Sequence, residues 1–374
     1  MINRRLFLRQ ASVLATVASS WSLNACSPKA SIMNPEEATF IDQLTQRRVT
    51  RCVGRYLIDL PELFLPNSMV DATFGGVKIN VQPMAKADFQ RRFDAYRIKL
   101  DQTRLPSSGL PFLHGVTPFR EGEEGGVFDR AESTADSYRV KRTLELWGWR
   151  NSFFFQLSLD AFNGIYPEDA GDAYVRSRGS NVPEKLDQLL KVYSRVRGRK
   201  DDEIPTDQGD CIANGFVAGP PSDQQAIDVP YHLQGSPDVY FDFNHTTTVR
   251  ERDTLLERTA KVEQEMQGSG TQTVRKGKRE LNGLPYEEWL MRGPTPDRVP
   301  GTMFMLHGNE TDLDPAKPFV ELRLFNGFRI PAPERTLEEK AQLKDLEKAT
   351  LTEEQAVALW DKVVATLRVR PGAI

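Results

Sequence analysis

Apolar and polar positions along this chain alternate first, then recur at helical spacing, then alternate again, and the whole order occurs twice, about 160 residues apart. The first unit opens with Cys52-Val53-Gly54-Arg55-Tyr56-Leu57-Ile58-Asp59-Leu60, a predicted strand ended by Pro61. A second strand over 72–81 leads into a helix from about Ala85, where Phe89, Phe93, Tyr96 and Leu100 share one face. Strands are predicted near 126–131, 138–147 and 152–159. In the last, Phe153-Phe154-Phe155 is apolar on both faces, as suits a central strand covered on each side. A closing helix over about 183–196 carries Leu186, Leu189, Leu190 and Tyr193 as its inward stripe.

The second unit begins at Cys211-Ile212-Ala213-Asn214-Gly215-Phe216-Val217 and repeats the plan. A strand is predicted at 239–243, a helix over 254–266 with Leu255, Val262 and Met266 on one side, and strands near 271–281, 285–291, 302–307 and 319–325. Its closing helix starts from Thr352 with Gln355 three residues on, a capping-box spacing. Ala356, Leu359, Trp360, Val363, Val364 and Leu367 form the expected buried stripe. The two closing helices end alike, in Arg195-Val196-Arg197-Gly198 and Arg368-Val369-Arg370-Pro371. Helices and strands do not alternate singly, so the expected fold is α+β: two similar domains, each a mainly antiparallel sheet with two helices, produced by internal duplication. They are placed at 46–198 and 210–374, with the charged stretch 199–209 as linker and 336–348 as a charged outer helix.

The first 26 residues read as a targeting segment. Asn3-Arg4-Arg5-Leu6-Phe7-Leu8-Arg9 resembles the twin-arginine export pattern, and the apolar stretch after it ends in Leu23-Asn24-Ala25-Cys26, which reads as a lipobox. Residues 1–25 are therefore expected to be removed and Cys26 lipidated, with 26–45 as a polar tether holding the folded part in the periplasm. Ser27 favours the outer membrane. Composition fits a globular chain, with 39% hydrophobic and 27% charged residues, and excludes a disordered or fibrous one. The 49 basic and 52 acidic residues leave no basic excess for a phosphate backbone, so nucleic acid is not an expected partner. Removal of Arg4, Arg5 and Arg9 with the leader shifts the net charge from −3 to about −6.

No Gly-x-Ser-x-Gly occurs, as a nucleophile elbow would require. The histidines His114, His232, His245 and His307 lie far apart in sequence. His307-Gly308-Asn309-Glu310 offers two ligands where a catalytic zinc wants three, so it reads as a turn with a surface histidine. The pairs Glu123-Glu124 and Glu287-Glu288 read as solvated acids that point apart, and Gly75-Gly76 and Gly125-Gly126 as hairpin or bulge positions. No catalytic residue, metal or cofactor is therefore expected. For Cys52 and Cys211 two readings stay open: a disulfide joining the units in an oxidising compartment, or two small buried hydrophobes. The long segments 103–125, 163–181, 220–235 and 293–301 mix Pro and Gly with aromatics. They nominate Phe112, Phe119, Tyr166, Tyr174 and Tyr231, with Glu123 and Glu124, as partner contacts.

The opening Arg51-Cys52-Val53-Gly54-Arg55-Tyr56-Leu57-Ile58-Asp59-Leu60-Pro61, the second opening Gly209-Asp210-Cys211-Ile212-Ala213-Asn214-Gly215, and Leu359-Trp360-Asp361 followed by Leu367-Arg368-Val369-Arg370-Pro371 together resemble the two-domain immunity proteins that accompany type VI secretion phospholipase effectors. The resemblance implies a periplasmic lipoprotein that neutralises a lipase toxin, a clamp whose two domains grip a cognate effector. None of the motifs that carry it is catalytic, and none marks contact residues. Two other readings compete: an envelope lipoprotein that takes a small ligand between its domains or assists assembly, and a hydrolase with an unfamiliar site.

Overall fold

The computed structural model describes residues 33–67, 71–106, 108–135, 140–165, 173–312, 314–330 and 345–374. Helix α1 (Pro35–Gln46) comes first. The first unit then runs β1 (Arg48–Val53), β2 (Tyr56–Pro61), β3 (Phe64–Pro66), β4 (Asp71–Phe74), β5 (Val77–Pro83), α2 (Lys86–Gln102), β6 (Leu113–Pro118), β7 (Glu124–Ala131), β8 (Lys141–Arg150), β9 (Phe153–Phe162), α3 (Ala173–Ser177), α4 (Val182–Arg195) and β10 (Val196–Gly198). The second runs β11 (Gly209–Ile212), β12 (Gly215–Ala218), β13 (Gln225–Leu233), β14 (Val239–Thr246), α5 (Leu255–Glu265), β15 (Gln272–Leu281), β16 (Leu284–Pro294), β17 (Pro300–Gly308), β18 (Phe319–Asn326), α6 (Glu353–Val364) and β19 (Arg368–Val369). Among the described residues no helix is long and apolar enough to cross a membrane.

Strand order makes the duplication explicit. The large sheet reads β15-β16-β17-β18-β14-β13-β4-β5-β9-β8-β7-β6, with β3 also pairing β13. Read outward from its middle, the first half gives β4-β5-β9-β8-β7-β6 and the second gives the counterparts β13-β14-β18-β17-β16-β15. The halves meet where β4 pairs antiparallel with β13, from Phe74 opposite Gln225 to Asp71 opposite Asp228. One sheet therefore runs unbroken through both, and its backbone hydrogen bonds fix their mutual register.

The closing strands are exchanged. β10, which follows α4 of the first half, pairs with β12 of the second, while β19 pairs with β2 of the first. The equivalent residues Arg199 and Arg370 donate their backbone N–H to Asn214 (2.9 Å) and to Arg55 (2.7 Å), the matching turn positions of the two opening hairpins. Cys52 and Cys211 are bonded to each other at a Cα–Cα distance of 5.7 Å. Beside them, Gly54 and Cys211 exchange two backbone hydrogen bonds of 2.8 Å each.

The segment 199–209 is held rather than loose. Arg199 is buried and donates to the carbonyls of Cys52 (3.0 Å), Gly215 (3.1 Å) and Glu203 (2.9 Å). Arg370, also buried, donates to those of Pro205 (2.7 Å), Asp207 (2.9 Å) and Gly209 (2.6 Å). A buried guanidinium is tolerated when its donors meet acceptors. Here main-chain carbonyls take every nitrogen of Arg199 and both terminal nitrogens of Arg370, whose Nε–H is left without a partner among the described residues. Arg55, by contrast, has a carboxylate partner, Asp210, at 3.0 Å through two nitrogens.

Alternation along the strands sends the two pairs of helices to opposite faces. Leu146 and Leu290 join the main core with Leu189 of α4 and Trp360 of α6. Their neighbours Trp147 and Trp289 turn to the other face, under Tyr96 of α2 and Leu255 of α5. The α6 stripe is buried as expected, and the Thr352–Gln355 capping box is formed.

Several expectations are corrected. Residues 35–46 are not tether: Asn34 caps a helix that buries Ile41 and Leu44, and Asp42 pairs with Lys362 of α6 at 3.0 Å. The strand expected over 72–81 is the hairpin β4–β5, turned by Gly75 (φ 58°) and Gly76 (φ 80°). On α4, Val192 is buried and Leu190 is 36% exposed. The helix expected over 336–348 lies mostly outside the described residues, and 345–350 is not helical.

Two predictions follow from the joint. Replacing Cys52 and Cys211 by Ala is expected to lower the unfolding free energy by about 2–5 kcal/mol in urea while leaving a single transition, since the shared sheet remains. At the seam, burial and the adjacent Asp242 carboxyl push Asp228 up to about 9, so it holds its proton at neutral pH. An acid with a raised folded pKa contributes fully only below its unfolded value, near pH 4, and that contribution is lost as pH rises through the folded one. Asp228→Asn should therefore raise the urea midpoint at pH 7 and flatten its decline between about pH 4 and pH 9.

Candidate functional site

The nominated contact residues separate into two groups. Phe112 and Tyr231 are buried and present no surface. Phe112 packs with Leu100, Leu105 and Phe128, while Tyr231 sits on β13 with its hydroxyl donating to Asp201 at 3.3 Å. Phe112 lies just before the edge strand β6, while Tyr231 lies within β13, whose inward positions belong to the main core. Tyr166 and Cys26 lie outside the described residues, as does the side chain of Tyr174 in α3.

Phe119, Glu123 and Glu124 do come together. They line a cavity of about 320 Å³ with Lys86, Trp149, Arg150 and Tyr193. Phe119 follows β6, Glu124 opens β7, Trp149 and Arg150 end β8, Lys86 starts α2, and Tyr193 comes from α4. The Phe119 ring stacks on Tyr193 at 5.4 Å, and Tyr193 meets Phe155 edge-on at 5.8 Å. The Arg150 guanidinium lies 4.5 Å over Tyr193 and donates to the Tyr193 carbonyl at 3.0 Å and to that of Val196. This packing needs bare backbone beneath it. A Cβ on Gly148 would lie 2.4 Å from the Tyr193 hydroxyl, and one on Gly125 (φ 132°) would lie 2.1 Å from the Trp147 carbonyl oxygen.

On the other wall, Lys86 pairs with Glu124 at 2.6 Å and lies 5.9 Å over Trp149, whose indole donates to the Met84 carbonyl at 2.8 Å. The Lys86 ammonium holds the Glu124 carboxyl below its usual range, and burial pushes the Tyr193 hydroxyl up. Glu123 stands exposed at the rim. The result is an aromatic hollow with fixed cations and an acidic lip, large enough for one protein side chain. Such hollows act as anchors in protein recognition.

Three buried polar groups escaped the sequence reading. His307 is no surface residue: it is buried, with Nδ1 at 2.7 Å from Glu310 and Nε2 at 3.0 Å from Glu321. Glu287 and Glu288 do point apart, but Glu288 turns into the core. It accepts from Arg275 (2.7 Å) and from the Trp360 indole (3.2 Å), while Glu287 accepts from the Leu256 N–H (2.8 Å). Their phase was readable, since Glu288 shares the inward side with Tyr286 and Leu290. His245 is wholly buried against Gly54, 3.8 Å from Asp210, and desolvation lowers it to about 4, which keeps it neutral. Among the described residues no cluster of three or more His, Cys, Asp or Glu side chains is placed to hold a metal ion.

Comparison with known proteins bears on both halves. The model of the Tle cognate immunity protein 4 N-terminal domain matches residues 49–199, and that of its C-terminal domain matches residues 203–372. The chain belongs to the Tle cognate immunity protein 4 family. No curated protein matches it. Among solved structures, the apo immunity protein TplEi of the type VI secretion system of Pseudomonas aeruginosa aligns with TM-score 0.62 and 22% identity over 87% of this chain and 98% of its own. A Tle4–Tli4 complex aligns with TM-score 0.63 and 22% identity over 88% and 99%. TplEi bound to an "L" peptide aligns with TM-score 0.58 and 22% identity over 87% and 99%. These likenesses establish a shared fold. The family's division into N- and C-terminal domains follows the two topological halves described above.

Gly148→Ala is expected to cost about 1–3 kcal/mol by forcing Tyr193 off Arg150 and Phe119. Urea unfolding and the near-ultraviolet circular dichroism of the aromatic stack would register it; an unchanged midpoint would show that the stack yields freely.

Proposed function

We propose that this chain is the immunity partner of a type VI secretion phospholipase effector, which it inhibits stoichiometrically by occlusion, without turnover, both halves gripping the effector. The observation that carries the reading is the match of the two Tle cognate immunity domains, in order, to the two halves. A Tle4–Tli4 complex shares the fold, and so does an immunity protein holding a peptide. Two domains on a flexible linker would gain affinity through effective concentration. The continuous sheet supports a different source: the halves are fixed relative to each other, so little order remains to be imposed on binding. The Phe119 hollow supplies an anchor at the end of the first half.

We further assign the chain to the periplasm, anchored through a lipid on Cys26, with the outer membrane favoured because Ser27 stands where an inner-membrane retention aspartate would. The twin-arginine-like leader and lipobox support this, as does the Cys52–Cys211 bond, which suits an oxidising compartment.

The test is titration of the purified chain into the Tle effector of the same strain. A 1:1 complex is expected, with phospholipase activity falling linearly to zero at equivalence. No complex, or a complex that stays fully active, would overturn the reading and return weight to an envelope-binding role. Glu123→Lys and Phe119→Ala should each weaken the complex tenfold or more, about 1.4 kcal/mol, with the circular dichroism spectrum retained. Cys26→Ala should leave affinity unchanged and move the chain from the membrane to the soluble periplasmic fraction.

A further inference from the structure

Helix α5 is held at its first turn by side chains from outside it. Glu310 accepts from the Leu255 N–H at 2.6 Å and from Arg258 at 2.5 Å, while Glu287 accepts from the Leu256 N–H at 2.8 Å. Glu310 also faces His307 Nδ1 at 2.7 Å, and His307 Nε2 faces Glu321 at 3.0 Å. Carboxylates only accept, so both contacts are hydrogen bonds only when both ring nitrogens carry hydrogen. Phe319 packs edge-on against the ring at 5.2 Å. We propose that the His307 imidazolium is a latch: protonated, it fixes Glu310 beneath the α5 N-terminus, and on losing that proton to solvent it lets the first turn of α5 loosen.

The charges around the ring set the direction. Glu310 comes from the loop after β17, Glu321 from β18, and Arg258 from α5, with Glu251 3.8 Å from Arg258. On the other side, Glu287 of β16 stands opposite His307, with Lys278 of β15 opposite Glu287 and Arg279 and Glu280 on the same cavity. Behind Glu321, Arg323 lies at 3.7 Å and pairs onward with Asp242. Burial opposes the ring's charge, but the bonds to Glu310 and Glu321 outweigh it and raise His307 above its ordinary value. A neutral ring would donate to one carboxylate and set a lone pair against the other. A histidine with a raised folded pKa contributes fully below its unfolded value, about pH 6.5, and that contribution is lost as pH rises through the folded one. Solvent has access: Thr254, Glu287, His307 and Glu310 line a cavity of about 610 Å³. Loosening would uncover Trp289 and Met291, which pack with Leu255 of α5. The latch thus controls an apolar patch on the second half.

The test uses the whole chain. Proton NMR should place the His307 ring midpoint above 6.5, and the amide protection factors of α5, with intrinsic rates divided out, should fall tenfold or more between pH 6 and pH 8.5. Those of its counterpart α2 should hold steady. His307→Gln should remove the pH dependence in α5. Should that variant fail to fold, Glu321→Gln removes one of the two carboxylate charges while keeping an accepting oxygen, and should move the ring midpoint and the α5 transition downward together. A midpoint at or below 6.5, or α5 and α2 changing in parallel, overturns the proposal. The measurement needs no effector, so its failure leaves the immunity reading intact.

Discussion

The exchange of closing strands around Cys52–Cys211 is the constraint on which the rest of this molecule depends. Each half makes an opening hairpin and then, after its sheet and closing helix, a short strand that completes the hairpin of the other half. β10 and β19 are three and two residues long, too short to persist unpaired. Neither half can therefore satisfy its own small sheet, and the strands, the disulfide and the carbonyl-bound arginines form together. Arg199 and Arg370 make this plain, because their acceptors come from both openings and from the connecting segment. Either guanidinium would be a stranded charge if the halves came apart.

That constraint changes how binding should be understood. A linker-joined pair would search for its second contact after making the first. A pair locked by a continuous sheet presents both at once, and gains affinity only where the partner already matches its spacing. Selectivity between cognate and non-cognate effectors would then reside in rim features such as the Phe119 hollow. The core that spaces them has little freedom to vary.

Much of this was legible in the chain. Periodicity placed α2, α4, α5 and α6 within a few residues, and the similar closing ends pointed to the duplication, but in a register two residues out. The strands match Arg197 and Arg199, not Arg195 and Arg197, with Arg368 and Arg370, and their exchange between halves could not be read. β13 was hidden by Pro230, which argues against a central strand because it donates nothing to a ladder. Pro230 sits where β13 changes neighbour, from β4 at residues 225–228 to β3 at 231–233, so a missing N–H is harmless there. β6 was hidden for the opposite reason: Leu113–Pro118 is an edge strand, largely exposed, with no apolar alternation to betray it. The buried arginines were invisible because charge in sequence reads as solvent. Only the fold reveals a cluster of carbonyls waiting for donors.

The two halves share a topology but not the means of holding their outer helices. Beneath α2 lies an aromatic bed, where Tyr96 stacks on Trp147 at 4.3 Å and donates to Glu145 at 2.7 Å. Beneath α5 lie methionines and a tryptophan, with the seat of the helix entrusted to charged groups around His307. Aromatic packing is nearly indifferent to pH, while a histidine between two carboxylates is not. Duplication thus kept one architecture and let its two copies diverge in responsiveness, so that a rigid frame carries one fixed outer helix and one whose attachment depends on a proton.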